Sequence, residues 1–319
     1  MTSYFPNVSC VVIGINCERT LFSCLESIQK LDYPKPLEII YVDGGSTDRS
    51  VLIGRRFHNI AIIELNLKNP TPGKSRNIGW KASKGEWVHF FDSDTIVNKD
   101  WLSGAVKHIN SGLGAIFGWR KELYSSRNWF HFVADLEWTK PSNESNFFGG
   151  DVLLRRSVLE ETGGYDEGLV AGEEPELSAR IRRRGWKISG IDAIMCYHDI
   201  HMNSLTQYFR RSFRTGYGYA EAGIKMLKSD EKEWISKAIK IFLKETLVIF
   251  LFVLGIFSRF HIWWLVALAA FFSPLRKVQT FRKEFGITFR EAVVYASHCS
   301  IVSWFQFFGI LRFCLTRKM

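Results

Sequence analysis

The stretch GEWVHFFDSDTIV, residues 85–97, ends a hydrophobic run in two aspartates set one residue apart. In extended backbone, residues i and i+2 point to the same side, so Asp92 and Asp94 would turn two carboxylates toward one point. Paired oxygen ligands at a strand end can hold Mg2+ or Mn2+, with a diphosphate completing the coordination shell. The same residues also fit a plainer arrangement, in which Asp94 caps a helix beginning near Thr95 and Asp92 fills a polar turn. A second acidic pair, Glu173 and Glu174, opens the helical stretch EEPELSARIRRRG, where the helix dipole alone favours acids. Arg211 and Arg214 in QYFRRSFRTGYGYAEAG lie three apart on one helical face. They suit bidentate phosphate contact, or equally a solvated basic face against lipid headgroups.

Strands and helices must alternate to place these groups. VSCVVIGIN (8–16) is a continuous β-branched apolar run, as a strand buried on both faces requires. TLFSCLESIQKL (20–31) sets Leu21, Leu25 and Ile28 at helical spacing, LEIIYVDGGSTDRS (37–50) is a strand entering a glycine turn, and SRNIGWKAS is a helix before GEWVHFF. This order predicts an α/β domain with a parallel sheet covered by helices on both faces. Ligands of such sheets bind at the carboxyl ends of the strands, where Asp43, Asp92 and Asp94 all fall.

Charged residues make up 23% of the 319 and hydrophobic residues 46%, and the formal charge is +10. The basic residues cluster in RIRRRGW (180–186), RRSFR (210–214) and beside apolar segments. With no zinc-finger or RNP-type signature, phosphate and anionic lipid are favoured over nucleic acid, which is not expected as a partner. The six cysteines show no CxxC pair and no metal-ligand spacing, which predicts a reduced, cytosol-facing protein. MTSYFPNVSC lacks the charged and apolar regions of a secretory signal. There is no internal repeat and no low-complexity segment.

From about residue 241 the character changes. An apolar stretch runs to 272, interrupted by Lys244, Glu245, Arg259 and His261, and a second covers 292–311. A spanning helix needs ~20 apolar residues, so the first stretch is either one tilted span with Arg259 paired or two short helices turning near 258–261. The basic loop RKVQTFRK (276–283) and the terminal RKM predict a cytoplasmic side for the connecting ends, hence an in-and-out hairpin or interfacial helices. The expected domains are 1–230, catalytic, and 231–319, a hydrophobic helical membrane anchor.

VVIGINCERTLFSCLESI, LEIIYVDGGSTDRS, GKSRNIGWKASKGEWVHFFDSDT, GGDVLLRRSVLEETGGYDEGL and GEEPELSARIRRRGWKI stand in an order and spacing that resemble the inverting family-2 glycosyltransferases of the GT-A fold. The resemblance covers roughly residues 7–220, is specific for the family, and names no sugar. It implies a Rossmann-like nucleotide-diphospho-sugar transferase domain with Mg2+ or Mn2+ as cofactor. It places Asn16 and Glu18 at the nucleotide pocket, although GIN stands where the family often has Pro-x-Tyr-Asn. It sets Asp43 on the nucleotide base with Asp48 nearby, Arg76 and Asn77 near the nucleotide sugar, Asp92 on the ribose and Asp94 on the metal. His198 is a third metal ligand by the same resemblance, with His201 competing; Gly149, Gly150 and Asp151 approach the acceptor or sugar; Arg211 and Arg214 meet the diphosphate. Glu174 falls where the family's second acid is the general base, with Glu in place of Asp, and Glu173 as its substitute. The implied partners are a nucleotide-diphospho-sugar donor, a polyprenyl-linked or polysaccharide acceptor, and a membrane, with the catalytic domain facing the cytoplasm. The competing readings are a sugar-phosphate nucleotidyltransferase, for which GINCERTLF lacks the glycine-rich phosphate loop, and an inactive membrane-bound glycan-binding scaffold.

Overall fold

The computed structural model describes residues 5–66, 70–138, 144–227, 231–258 and 262–316; Arg259, His261 and the terminal RKM lie outside them. The chain forms two compact units, one of residues 1–124 and 137–200, the other of 125–136 and 201–319.

The first unit is built on strands β1 (Val8–Gly14), β2 (Glu38–Asp43), β3 (Ile60–Glu64), β4 (Trp87–Asp92), β5 (Thr95–Val97), β6 (Leu113–Glu122), β7 (Val152–Arg155) and β8 (Lys187–His198). Between strands in the chain fall helices α1 (Leu21–Gln29), α2 (Ser50–Gly54), α3 (Pro72–Ala82), α4 (Trp101–Ala105), α5 (Trp129–Trp138), α6 (Arg156–Thr162) and α7 (Glu173–Arg183). The eight strands form one sheet in the order β3-β2-β1-β4-β7-β6-β8-β5. The alternation of β1 sorts the core onto two faces. Val8, Cys10 and Val12 pack with Leu21, Leu25 and Ile28 of α1 and Trp101 and Leu102 of α4. Val11 and Ile13 pack on the other face with Trp80 of α3, Leu159 of α6 and Leu177 and Ile181 of α7.

The sheet is mixed, which corrects the expectation of a parallel one. β1 to β4 run parallel, but β7 pairs antiparallel with β4 and with β6, and β5 antiparallel with β8. The register puts Gly14 opposite Asp43, and Ile13 opposite Asp92, so the ends of three strands make one row. α3 packs close on β1 because residue 79 is glycine: a Cβ there would meet Val11 Cγ1 at 2.3 Å.

The second unit is helical: most of α5, then α8 (Leu205–Lys225), α9 (Glu233–Phe257), α10 (Ile262–Phe271), α11 (Val278–Phe285) and α12 (Phe289–Thr316). Ser204 and Gln207 form a capping box that starts α8. α8 and α12 cross through facing glycines: a Cβ on Gly216 would meet the Gln306 carbonyl at 2.0 Å, and one on Gly309 the Phe213 carbonyl at 2.0 Å. The apolar stretch from 241 is not one span. Helix α9 ends where Ser258 turns extended, with ψ 142°, and α10 begins at Ile262. Among the described residues α12 is the one helix long and apolar enough to cross a membrane.

Candidate active site

Two loops line the strand ends nearest β1. The Asp43 carboxylate is buried and accepts bonds from Tyr41 Oη at 2.8 Å, Gly45 N at 3.0 Å and Ser46 N at 2.7 Å. Gly45, at φ 90°, lets the chain turn tightly round it. Exposed Asn16, itself left-handed at φ 50°, accepts from Thr47 N, and Glu18 accepts from Arg49 N and Nε. Asp48 caps the following turn through Ser50. Asn16, Glu18, Asp43 and Asp48 thus come together at one loop cluster.

The two aspartates of the opening motif are arranged differently from the sequence expectation. Ser93 and Asp94 form a turn, not extended backbone, and Thr95 begins β5, not a helix. Asp92 Oδ1 accepts from Arg76 Nη2 at 2.8 Å, while Asp94 Oδ1 faces His198 Nδ1 at 3.3 Å. The two acids are neighbours with different partners. Beneath them Asp151 is the hub: its oxygens accept from Asp92 N at 3.1 Å, Thr95 Oγ1 at 2.7 Å, Arg120 Nη2 at 2.6 Å and His198 Nε2 at 2.7 Å. Burial alone would raise the Asp151 carboxyl, but Arg120 and His198 outweigh it and hold the group well below the usual carboxylate range.

On the opposite side of Asp92, Arg76 binds the second acidic pair. Its Nη1 donates to Glu173 Oε1 at 2.9 Å and stands 3.4 Å from Glu174 Oε1. The Arg76 side chain is 2% exposed and Glu173 5%, whereas Glu174 keeps 18%. Burial, with the charge of Glu173 beside it, pushes Glu174 up to about 7 despite Arg76. Of the two acids, Glu174 therefore combines access to solvent with a proton affinity suited to exchange near neutral pH.

Asn77, next to Arg76, is buried and spends its amide on Tyr165 O, Glu167 Oε1, Trp80 Nε1 and Tyr165 N. It positions the Tyr165 loop, whose ring lies under the Arg76 guanidinium, 5.3 Å from its centroid. Gly150 is part of the contact surface: a Cβ there would lie 2.5 Å from Asp92 Oδ2 and 2.8 Å from Arg76 Nη2. At Gly149 the nearest atom would be Arg120 Nη2 at 3.7 Å. Arg211 and Arg214 lie on the exposed face of α8, in the second unit. The sequence reading missed Arg120, Thr95 and Tyr165. Arg120 carried a signal, since a cation inside the buried strand β6 requires an acid facing it.

Beside Asp94, two arrangements could take a metal ion. Asp151, Cys196 and His198 bring ligand atoms within 4.8 Å of one another, but four donors already saturate the Asp151 oxygens, and burial with nearby Asp151 holds the Cys196 thiol protonated. Asp94 and His198 fit better. Asp94 is 45% exposed, and with Nε2 committed to Asp151, Nδ1 of His198 would be the ligand atom once it gave up the proton that Asp151 and Asp94 now favour. An imidazole oriented by a carboxylate behind it is the usual support for a metal-bound histidine.

Residues 9–163 match the family Glycosyl transferase family 2. The chain is 35% identical over 106 residues to the poly(ribitol-phosphate) beta-N-acetylglucosaminyltransferase TarS of Staphylococcus aureus, which covers 32% of this chain and 18% of TarS. It is 28% identical over 205 residues to the O-antigen chain rhamnosyltransferase RfbN of Salmonella typhimurium, covering 58% and 64%. The chain thus aligns with less than two thirds of either relative. The fold matches mannosyltransferase PcManGT of Pyrobaculum calidifontis, solved with GDP-Man and Mn2+, at TM-score 0.66 and 18% identity over 93% of this chain and 87% of that one. Residues 9–163 therefore match a family 2 glycosyltransferase domain, and the fold is the GT-A fold of these neighbours. Asp43, Arg76, Asp92, Asp94 and Asp151 fall inside the matched residues, while Glu173, Glu174 and His198 lie beyond them.

Proposed function

We propose that the chain transfers a sugar, with inversion, from a nucleotide-diphospho-sugar to a hydroxyl of a membrane-associated glycan acceptor. One observation carries this reading: a single buried guanidinium, Arg76, holds both the strand-end aspartate Asp92 and the acidic pair that contains Glu174. Donor side and base are thereby set at a fixed spacing.

In this mechanism Glu174 takes the proton of the acceptor hydroxyl as that oxygen attacks the anomeric carbon, from the face opposite the departing diphosphate. A base so placed contributes ~10^2 to 10^4-fold. Glu173, locked by Arg76, orients its neighbour. Asp43 and Asn16 line the pocket for the nucleotide base, and Asp92 meets the ribose. Asp94 and His198 would hold a divalent cation, Mg2+ or Mn2+, which when bound neutralises charge on the leaving diphosphate. Residues 1–230 supply catalysis and 231–319 the attachment to the membrane, with the catalytic part facing the cytoplasm.

The test is release of nucleoside diphosphate from a panel of nucleotide sugars with membrane extract as acceptor. UDP-GlcNAc and GDP-mannose come first, since TarS and PcManGT were solved with them. At least one donor should give acceptor-dependent release with label entering extractable glycan. Absence of both with every donor tried would overturn the reading.

A further inference from the structure

The helix with the length to cross a membrane also packs along α8. The inner face of α12 carries buried His298, Ser300 and Ser303, its His298 Nδ1 bonds Tyr208 Oη of α8 at 2.8 Å, and it crosses α8 at backbone contact through Gly309. One face of it therefore packs within the second unit, while 28% of its apolar window is buried. The exposed apolar surface is densest on α9 and α10. Phe250 is 59% exposed, Phe257 83%, Ile262 60% and Leu265 67%, and in α10 the one buried residue is Ala267. A helix apolar all round has no water-facing side.

α10 returns along α9: Gly255 admits Trp264, whose Nε1 donates to the Phe252 carbonyl at 3.2 Å. Charge marks where this hairpin leaves the bundle. Glu245, fully buried, pairs with Lys244 at 3.0 Å and accepts from Ser303 Oγ at 2.6 Å. Exposed Lys240 lies one turn earlier, and exposed Arg276 and Lys277 follow α10. Beyond this basic rim both limbs are apolar, and Arg259 and His261 stand in the sequence between them. An open cavity of about 600 Å³, lined by Val248, Phe252, Trp264, Leu268, Phe271 and Trp304, has almost no polar wall.

The limbs are short. Ten residues of α10 rise ~15 Å at ~1.5 Å each, half of a hydrocarbon core of ~30 Å. We propose that the α9–α10 hairpin enters one leaflet of a bilayer without crossing it, its cationic rim on the anionic headgroups and acyl chains filling the groove between its limbs. This specifies the membrane partner of the proposed function and rests on that part of it. The rim favours lipid over a second copy of this chain, since a like-charged rim would meet itself across a symmetric pair.

The experiment uses the full chain with vesicles of phosphatidylethanolamine and phosphatidylglycerol. With Cys314→Ser as background, a fluorophore on Leu265→Cys should be quenched most by lipids spin-labelled along the acyl chain of the protein-facing leaflet, and should resist an aqueous quencher trapped inside the vesicles. Phe250→Asp with Leu265→Asp should cut vesicle flotation at least tenfold, while Leu315→Asp, at the exposed end of α12, should leave it unchanged. Flotation of the double variant at the parent level, access of the trapped quencher to residue 265, or hairpin-to-hairpin crosslinking without lipid would each overturn the proposal. Nucleoside diphosphate release is measured on the same samples. Release without flotation defeats this inference alone; flotation without release defeats the activity alone.

Discussion

Arg76 and Glu173 stand 97 residues apart in the chain and 2.9 Å apart in space, a guanidinium nitrogen donating to a carboxylate oxygen with both side chains nearly sealed from water. Because Arg76 also holds Asp92 and stands 3.4 Å from Glu174, removing it would leave three acids without their shared cation. Arg76→Met is expected to cost about 3–5 kcal/mol of stability, the usual penalty for breaking a buried pair from one side. Urea unfolding at neutral pH measures it, and the deficit should narrow as lowered pH protonates the acids.

Glu174 works as a base only when ionised, and its proton affinity is pushed up to about 7 by burial and by Glu173. kcat/KM should therefore fall about tenfold per pH unit as the pH drops below that value. Glu174→Gln should lower kcat ~10^2-fold or more, with little change in donor affinity, and its residual rate should lose this pH dependence. Glu173→Gln should cost less. A dead Glu173→Gln beside a normal Glu174→Gln would move the base by one residue.

Asp94 is half exposed and faces His198, so Asp94→Ala should fold normally by circular dichroism. Its transfer rate should drop at least ~100-fold, in line with the several kcal/mol a divalent cation contributes. Chelation of the wild type should do the same, with recovery on adding Mg2+ or Mn2+. Full turnover by chelated Asp94→Ala enzyme would remove the metal from the scheme.

Two adjacent glycines give an internally controlled test. Gly150→Ala would push a methyl to 2.5 Å from Asp92 Oδ2 and 2.8 Å from Arg76 Nη2, atoms held in place by their own ion pair. It should cost about 1–3 kcal/mol and most of the transfer activity. Gly149→Ala meets nothing closer than 3.7 Å and should behave as wild type in both assays.

The strand ends that carry Asp43 and Asp92 were legible because buried parallel strands announce themselves as apolar runs, and the ordered motifs fixed their sequence. The other half of the sheet was not. β7 runs antiparallel between β4 and β6, and β6 pairs in parallel with β8, which follows it by several elements; these pairings depend on tertiary register that no local pattern encodes. The aspartate pair shows the same limit at the scale of one residue. Alternation predicts convergence of Asp92 and Asp94, yet a turn at 93–94 sends one to Arg76 and the other to His198. Arg76 and Asp151 were recognised by motif as surfaces for ligand, but their burial and saturation by protein partners appear only once the chain has folded.

The glycine crossing of α8 and α12 also sets an order of events during synthesis. Tyr208 and the His298 it bonds are separated by 90 residues, and at ~5–20 residues per second that interval lasts roughly 5–20 s. Throughout it the small-residue face of α8 has been made while the helix that covers it has not. Nascent α8 is thus a waiting surface, open to chaperones and to mispairing until Gly309 arrives. A ribosome stalled before that codon would display the same uncovered helix.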